Sequence, residues 1–398
     1  MSWSAKSLDE LGTVSRGRSR HRPRDAAHLY GGPYPFVQTG DVKRAGLYLT
    51  EYSQTYSDEG LAQSKLWPSG TLCITIAANI ADTSILAIDA CFPDSVIGFI
   101  PDPKKSDARF IKYLFDAVLK LQYRQVSQGA AQDNLSQGKL LALKFSVPDD
   151  VNEQIRIADF IATYDDLIEN NRRRIQLLEE SARLLYQEWF VHLRFPGHEQ
   201  VNTVDGLPEG WRNMQLTDIA KVNQASLKKG FDEKIEYIDI SCVSTHSISD
   251  TTWYEFIDAP GRARRIVQHC DILWSCVRPN RRSHALVWEP HDRLIASTGF
   301  AVISATEVSP LFLYQSLTTN EYVGYLTNRA GGAAYPAVTA RVFEESSILV
   351  PTKNLVEQYE RQVQDTYTQI NILRTQNIKL AQARDLLLPK LMSGELAV

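Results

Sequence analysis

Few residues of this 398-residue chain have the types and spacing that chemistry requires. The stretch PDSVIGFIPDPK contains two carboxylates and a lysine, Asp94, Asp102 and Lys104. A metal-dependent nuclease needs such groups to converge on a divalent ion. However, Pro103 stands where a strand should continue, and a proline removes one hydrogen bond from a strand. We therefore interpret the stretch as a loop between strands, with a nuclease as the weaker alternative.

Other motifs of catalysis do not occur in the sequence. There is no G-x-x-x-x-G-K-[ST] phosphate loop, no H-E-x-x-H and no G-x-S-x-G. The eight histidines do not cluster with Cys or Asp at ligand spacing, and the five cysteines include no C-x-x-C pair. We therefore expect no catalytic residue and no metal site on this chain, and thiols that stay reduced in a cytoplasm.

Arginines cluster in both halves of the chain, although the net charge is −4. RGRSRHRPR (16–24) has an arginine at every second position, which in an extended chain puts them on one edge about 6.6 Å apart. This spacing suits a phosphate backbone, and arginine also recognises guanine edges. The alternative is a solvated basic loop without a ligand. The predicted contacts are Arg16, Arg18, Arg20, Arg22 and Arg24, then Arg262, Arg264, Arg265, Arg278, Arg281 and Arg282.

Two similar turns, SQGAAQDNLS (127–136) and AGGAAYPAVT (330–339), share a Gly-Ala-Ala core. Small residues let backbone amides approach a phosphate or a base edge closely. In that interpretation the first turn contributes Gln128, Gln132 and Asn134, and the second contributes Tyr335 and Thr339. The alternative is a purely structural turn that leads into the next strand.

The turns belong to a longer internal repeat. Five short matches occur in the same order, at offsets between 201 and 208 residues. They include Gly98-Phe99 with Gly299-Phe300, and SVPDDVNEQ (146–154) with LVPTKNLVEQ (349–358). An ordered series of matches indicates a duplication.

Each repeat ends in a predicted long helix. From Ile157 and again from Val356, core positions recur in alternating steps of three and four, the pattern of a coiled-coil seam. Pro148 and Pro351 precede the helices, where proline is tolerated. We predict that the two helices pair through Ile161, Ile168, Asn171, Ile175, Leu178, Val363, Ile370, Leu373, Asn377 and Leu380. The alternative is that each helix packs on its own domain.

Antiparallel pairing would have a geometric consequence. A helix of about 35 residues is about 50 Å long, and it would hold two globular segments at opposite ends. That length corresponds to about 15 base pairs. The predicted architecture is therefore α/β (α+β), with two pseudo-repeated globular domains separated by an antiparallel coiled coil. The boundaries are 1–149 and 196–349 for the domains and 150–195 and 350–398 for the helices.

The sequence has the pattern of neither a membrane span nor a signal peptide. No apolar run reaches the length of a membrane span, and the first residues lack the apolar core of a signal peptide. We therefore expect a cytoplasmic protein with no membrane partner.

The ordered motifs resemble the specificity subunit of type I restriction–modification enzymes over essentially the whole chain. The matching stretches are CFPDSVIGFIPD (91–102), the two Gly-Ala-Ala turns, VNEQIRIADFIATYDDLIENNRRRIQLLEESARLLYQEWF (151–190), LPEGWRNMQLTDIA (207–220), ASTGFAVI (296–303) and QNIKLAQARDLLLPKLMSGEL (376–396).

The resemblance implies a function. Two target-recognition domains would read the two halves of a bipartite site in double-stranded DNA. Two methyltransferase (modification) subunits would dock and bring S-adenosylmethionine, and motor and nuclease subunits would bring ATP and magnesium. No cofactor is expected on this chain, and no base contact transfers, since family members read different sequences. The second Gly-Ala-Ala turn lacks the Gln and Asn of the first, so the two halves would read different bases. The rival interpretation is a coiled-coil adaptor that binds acidic protein partners.

Overall fold

The computed structural model describes residues 2–77, 80–126, 135–204, 206–228, 230–332 and 335–398, with 119–126 described as backbone. Its contacts divide the chain into two compact units, Met1–Arg173 with Leu373–Val398, and Arg174–Ile372. Each unit contains one sheet-rich globular part and a portion of two long helices. Within the described ranges, no helix has the length and the apolar run needed to cross a membrane.

The first unit contains short strands and five helices before the first long helix. Its strands are β1 (Trp3–Lys6), β2 (Gly12–Arg16), β3 (Tyr30–Phe36), β4 (Tyr48–Leu49), β5 (Gln54–Tyr56), β6 (Leu66–Trp67), β7 (Leu72–Thr75), β8 (Thr83–Leu86), β9 (Ala90–Cys91), β10 (Val96–Pro101) and β11 (Phe145–Pro148). Its helices are α1 (Leu8–Leu11), α2 (Thr39–Arg44), α3 (Asp58–Ala62), α4 (Ala108–Val126), α5 (Gln137–Ala142) and α6 (Val151–Tyr186), of which the residues from Arg174 onward belong to the second unit.

The strands of the first unit form two main sheets. Their orders are β2-β10-β7-β8-β4 and β5-β3-β9-β6, and β1 pairs antiparallel with β11. A single buried cluster joins the first sheet to the long helices, since it contains Phe99, Phe110, Ile157 and Leu391. The start of α6 is capped by Asp150, whose Oδ1 accepts a hydrogen bond from the backbone N of Asn152 at 3.0 Å.

The second unit continues with the same kinds of element. Its strands are β12 (Thr203–Val204), β13 (Leu207–Pro208), β14 (Arg212–Gln215), β15 (Ala220–Val222), β16 (Lys234–Ile238), β17 (Val243–Ser244), β18 (Ser247–Ile248), β19 (Thr252–Glu255), β20 (Ala263–Ile266), β21 (Ile272–Ser275), β22 (His284–Leu286), β23 (Leu294–Ser297), β24 (Phe300–Ala305) and β25 (Ser347–Val350). Its helices are α7 (Leu216–Ile219), α8 (Pro310–Ser316), α9 (Asn320–Arg329), α10 (Ala340–Glu344) and α11 (Lys353–Met392), of which the residues from Leu373 onward belong to the first unit.

The two units repeat one topology. The second has sheets in the orders β15-β24-β21-β22 and β19-β16-β23-β20, and β14 pairs antiparallel with β25. In both units an early strand, β1 or β14, therefore pairs with the strand that leads into a long helix. Each second sheet also contains one parallel pair, β3 with β9 and β16 with β23. The α/β class with two sheet-rich domains predicted from the sequence is confirmed.

The strand register corrects one of the sequence matches. Gly12 directly follows α1 and pairs with Pro101, whereas Ala220 directly follows α7 and pairs with Ala305. The two partners are 204 residues apart, so Phe99 corresponds in the fold to Ile303 and not to Phe300. The two Gly-Phe pairs are therefore not equivalent. The short motif misled because two identical residues are too few to fix the register of a strand.

Within the first unit the two long helices run antiparallel. Asn171 Nδ2 donates to Asn377 Oδ1 at 3.0 Å, and Asn377 Nδ2 donates to the carbonyl oxygen of Ile168 at 3.4 Å. Earlier on α6, Asp165 pairs with Arg384, which lies later on α11. Rising numbers on one helix therefore meet falling numbers on the other.

Within the second unit, aromatic side chains are part of the contact between the two long helices. Tyr359 on α11 donates to the carbonyl oxygen of Ala182 on α6 at 3.1 Å. Tyr186, Phe190 and Phe312 belong to the same buried cluster as Tyr359. The globular part of this unit thus shares one core with its portions of both helices.

Candidate nucleic-acid interface

The N-terminal arginine segment begins at the end of β2. Arg16 is the last residue of the strand. After it, buried and exposed residues alternate: Gly17 and Ser19 are buried, and Arg18 and Arg20 are exposed. This alternation agrees with the expected extended backbone at the start of the segment. We therefore place the side chains of Arg18 and Arg20 on the solvent-exposed surface of the first unit.

The segment then turns back, which corrects the expectation of five guanidinium groups along one straight edge. Arg16 Nε donates to the carbonyl oxygen of Asp94 at 2.9 Å, and Arg24 Nη2 lies 2.9 Å from Asp94 Oδ2. Eight residues of extended chain would span about 26 Å, so these two arginines could not share one partner on a straight strand. The two ends of the segment are instead held together by one residue of the loop before β10.

Neighbouring groups hold the backbone of this turn. Gln63 Oε1 accepts hydrogen bonds from the backbone N of Arg20 and of His21, at 2.6 and 3.0 Å. Arg22 directs its own guanidinium group to the carbonyl oxygens of Ser19 and His21, at 2.8 and 2.7 Å. Arg22 therefore stabilises the turn, whereas Arg18 and Arg20 are better placed to meet a phosphate.

In the second unit, the structure brings an arginine loop against the Gly-Ala-Ala turn. The Arg278 guanidinium lies 4.6 Å from the centroid of the Tyr335 ring, and the Arg278 backbone N donates to the carbonyl oxygen of Pro336 at 2.7 Å. Tyr335 is 69% exposed. The guanidinium and the exposed ring therefore form a cation–π pair at the surface of the second unit.

The backbone of this loop adopts an uncommon conformation. Arg278 and Arg282 have φ values of 50° and 54°, in the left-handed region that residues other than glycine seldom occupy. Such strain occurs preferentially at ligand-binding sites, where the surrounding structure maintains it. Here Arg282 Nη2 contacts Asn320 Oδ1 at 2.5 Å, and exposed Arg281 lies between the two strained residues in the chain.

The second turn is itself tied to the sheet. Gly331 and Ala337 exchange backbone hydrogen bonds of 3.0 and 2.9 Å, and the Val338 backbone N donates to the carbonyl oxygen of Cys276 at 2.9 Å. Thr339 is exposed and directly precedes α10. The corresponding candidates of the first turn, Gln128, Gln132 and Asn134, lie outside the described residues.

Three arginines of residues 261–265 lie on or beside β20, in the sheet β19-β16-β23-β20 of the second unit. Arg264 stacks over Phe256 at 4.8 Å, and Arg265 Nη1 donates to Ser226 Oγ at 3.2 Å. Arg262 is exposed and acts on Asp239. Burial opposes ionisation of Asp239, but hydrogen bonds from Ser241 and Tyr237 and the charge of Arg262 lower its pKa. These arginines are thus more committed to protein contacts than Arg281.

An aromatic cluster on the same sheet was missed by the sequence reasoning. Exposed Trp253 stacks on His291 with ring centroids 5.3 Å apart and an angle of 9°, and the Arg293 guanidinium lies 5.3 Å from the Trp253 ring. Exposed aromatic rings beside cations can stack on bases. No sequence signal joins residues 253 and 291, which are brought together by strands β19 and β23 on either side of β16.

The nuclease-like carboxylates do not converge. Asp94 is engaged by Arg16 and Arg24, whereas Asp102 Oδ1 accepts from the backbone N of Lys104 at 3.0 Å. The hydrogen bond from Lys104 is the largest cause of a lowered pKa at Asp102. Among the described residues, no group of three His, Cys, Asp or Glu side chains is arranged to hold a metal ion.

Comparisons with known proteins show which proteins this chain is similar to. Residues 2–180 match the family model of the type I restriction modification DNA specificity domain. The chain is 22% identical to the type I restriction enzyme MjaIX specificity subunit of Methanocaldococcus jannaschii, over 100% of this chain and 94% of that protein. It is 26% identical to the HindI specificity subunit of Haemophilus influenzae, over 97% of this chain and 98% of that protein.

A solved structure shows the same fold. The S subunit of a type I restriction–modification system from M. genitalium superimposes with a TM-score of 0.57 at 16% identity, and the match covers 98% of this chain and 96% of that one. The sequence matches and the shared fold together extend over nearly the full length of the chain. Over nearly its full length, the chain is similar in sequence to specificity subunits of type I restriction–modification enzymes.

Proposed function

We propose that this chain recognises a bipartite site in double-stranded DNA, with one half-site read by the globular part of each unit. The observation that carries the proposal is the repeated topology, in which each globular part presents arginines from surface segments. A duplicated binding surface suits a target that contains two half-sites. As a specificity subunit, the chain recognises DNA and performs no catalysis itself.

The two surfaces differ in the chemistry that they offer. In the first unit, exposed Arg18 and Arg20 are suited to contact phosphates, which provide affinity but little sequence information. In the second unit, Arg281 and the stacked pair of Arg278 and Tyr335 are suited to contact base edges. We infer that the two half-sites have different sequences.

The two long helices are proposed to set the spacing of the half-sites as an antiparallel coiled coil and to dock two methyltransferase subunits. Leu184 on α6 and Leu386 on α11 are 47% and 74% exposed, whereas α6 partly buries Leu178 and Leu185, and α11 buries Leu373 and Leu388. The two leucines are 202 residues apart, close to the offset of the repeat. Two equivalent apolar positions suit two copies of one partner.

The partners would supply the chemistry. The methyltransferase subunits would bind S-adenosylmethionine, and the motor and nuclease subunits would use ATP and magnesium. A coiled-coil adaptor or a metal-dependent nuclease is not favoured, because the family matches and the fold are those of specificity subunits.

Methylation sequencing of the host genome with the gene intact and deleted tests this function. We expect a bipartite motif that loses its methyl mark on deletion, and this motif would define both half-sites and the spacer. An unchanged methylome, with the gene and a partner methyltransferase both expressed, would overturn the proposal and favour the adaptor.

A further inference from the structure

A three-way polar contact joins the globular part of the first unit to both long helices. The Tyr113 hydroxyl on α4 donates to Asp165 Oδ2 on α6 at 2.7 Å, and Arg384 Nη1 on α11 donates to Asp165 Oδ1 at 2.5 Å. Tyr113 is buried, and the side chains of Asp165 and Arg384 are only 13% and 27% exposed. One carboxylate is therefore shared by the globular part and the two helices.

The hydrogen bonds of this contact are directional, whereas the apolar packing around it is not. The neighbouring apolar cluster, with Phe110 and Ile161, favours burial but is not directional. The nearby ion pair between Arg109 and Asp159 involves a largely exposed carboxylate and contributes little. Hydrogen bonds to a charged, mostly buried carboxylate are shorter and stronger than neutral ones and define an angle.

The same joint occurs in the second unit with different chemistry. Gln315 Nε2 on α8 donates to the Tyr367 hydroxyl on α11 at 2.7 Å. Gln315 and Tyr367 each lie 202 residues after Tyr113 and Asp165, so the contact occupies the equivalent place in the repeat. The hydrogen bond between Gln315 and Tyr367 joins two neutral side chains, whereas the contact in the first unit includes the ion pair of Asp165 with Arg384. The duplicated position indicates that an oriented joint is needed in both units.

We propose that Tyr113, Asp165 and Arg384 are positioning residues, which hold the first recognition domain at one angle on its helices and so restrict the spacer length accepted in the DNA. The inference rests on the proposed bipartite recognition. One additional base pair moves a half-site by about 3.4 Å and rotates it by about 34°. A domain held by directional bonds cannot follow that rotation, whereas a domain held by apolar packing alone can adjust to it.

The test is methylation sequencing of host strains that carry the full-length wild-type gene or a variant. With n as the wild-type spacer, we expect Asp165→Asn to keep both half-sites. We expect it to raise methylation at spacers n − 1 and n + 1, relative to n, about tenfold. Asp116→Asn is the matched control, because it makes the same substitution on α4 and removes the charge that pairs with Lys112. The control should retain the wild-type spacer.

Conservative variants separate positioning from simple loss of structure. Arg384→Lys keeps a cation and should stay closer to the wild-type spacer than Arg384→Ala. If Asp165→Asn abolishes methylation altogether, Tyr113→Phe decides, since it removes one hydroxyl and leaves the ion pair of Asp165 with Arg384 in place. Relaxed spacing in Tyr113→Phe supports the inference.

If the Asp165→Asn strain still methylates its DNA and accepts only the wild-type spacer, the inference is overturned. If that strain does not methylate, the same result in the Tyr113→Phe strain overturns the inference. A wild-type strain with no bipartite motif would instead overturn the proposed function itself.

Discussion

Arg278 and Tyr335 are 57 positions apart in the sequence, yet the guanidinium of one lies 4.6 Å from the ring of the other. The backbone hydrogen bond from Arg278 to Pro336 fixes this pair at the meeting point of two loops. The Gly-Ala-Ala turn and the arginine loop of the second unit thus form one surface. Its function is open to direct test.

Replacement of Arg278 by alanine should weaken binding of the cognate duplex by the complex assembled with its methyltransferase. We expect a loss of ~1–3 kcal/mol, as for one bidentate base contact. Fluorescence anisotropy with cognate and half-site-scrambled duplexes measures the effect. Arg341→Ala is the control, because Arg341 on nearby α10 pairs with exposed Glu345, which directly follows that helix. Equal affinity of wild type and Arg278→Ala would remove Arg278 from the interface.

Removal of Arg18 and Arg20 together should change the salt dependence of binding. Each phosphate contact contributes about −0.9 to the slope of log K against log salt concentration. The double alanine variant should therefore make the slope less steep by about 1.8. Titrations at several salt concentrations give the slope. Arg173→Ala, which removes an exposed partner of Glu169 on α6, should leave it unchanged. An unaltered slope in the double variant would show that the two side chains do not meet phosphates.

The Asn171 and Asn377 pair should behave as a specific but expendable polar contact. Asn171→Leu leaves Asn377 Oδ1 without the hydrogen bond from Asn171, and we expect the free energy of unfolding to fall by ~1–3 kcal/mol. The double variant with leucine at both positions should recover most of that stability, because a buried polar pair can be replaced by apolar side chains of similar size. Urea unfolding measures both. Additive losses in the double variant would contradict this account.

His284 should make stability depend on pH. Burial among Trp274, His246 and Tyr314, helped by the nearby charge of Arg282, lowers its pKa to about 3. The unfolded chain would bind a proton at this histidine below about pH 6.5, but the folded protein would not. The free energy of unfolding should therefore fall as the pH decreases from about 6.5 toward 3, by up to about 1.4 kcal/mol per pH unit.

Urea unfolding of wild type and His284→Gln at about pH 7 and about pH 5 checks this expectation. The wild type should lose more stability than the variant between the two conditions. Equal losses would mean that His284 does not remain neutral in the folded protein.

The sequence by itself determined the features that depend on local pattern. Apolar positions in steps of three and four predicted the long helices, and prolines before each helix marked their starts. Ordered short matches revealed the duplication and the family, because a repeated fold keeps the residues that its turns and buried strands require. Each of these signals is a short pattern whose own residues lie within a few positions of one another along the chain.

Only the tertiary structure decided which distant residues meet. It turned the N-terminal segment so that Arg16 and Arg24 share Asp94, and it shifted the apparent Gly-Phe match by three residues. It also joined Tyr113 to Asp165 and Arg384. Strand register and side-chain contacts depend on how many elements pack together. One local sequence pattern is compatible with several registers and several sets of contacts.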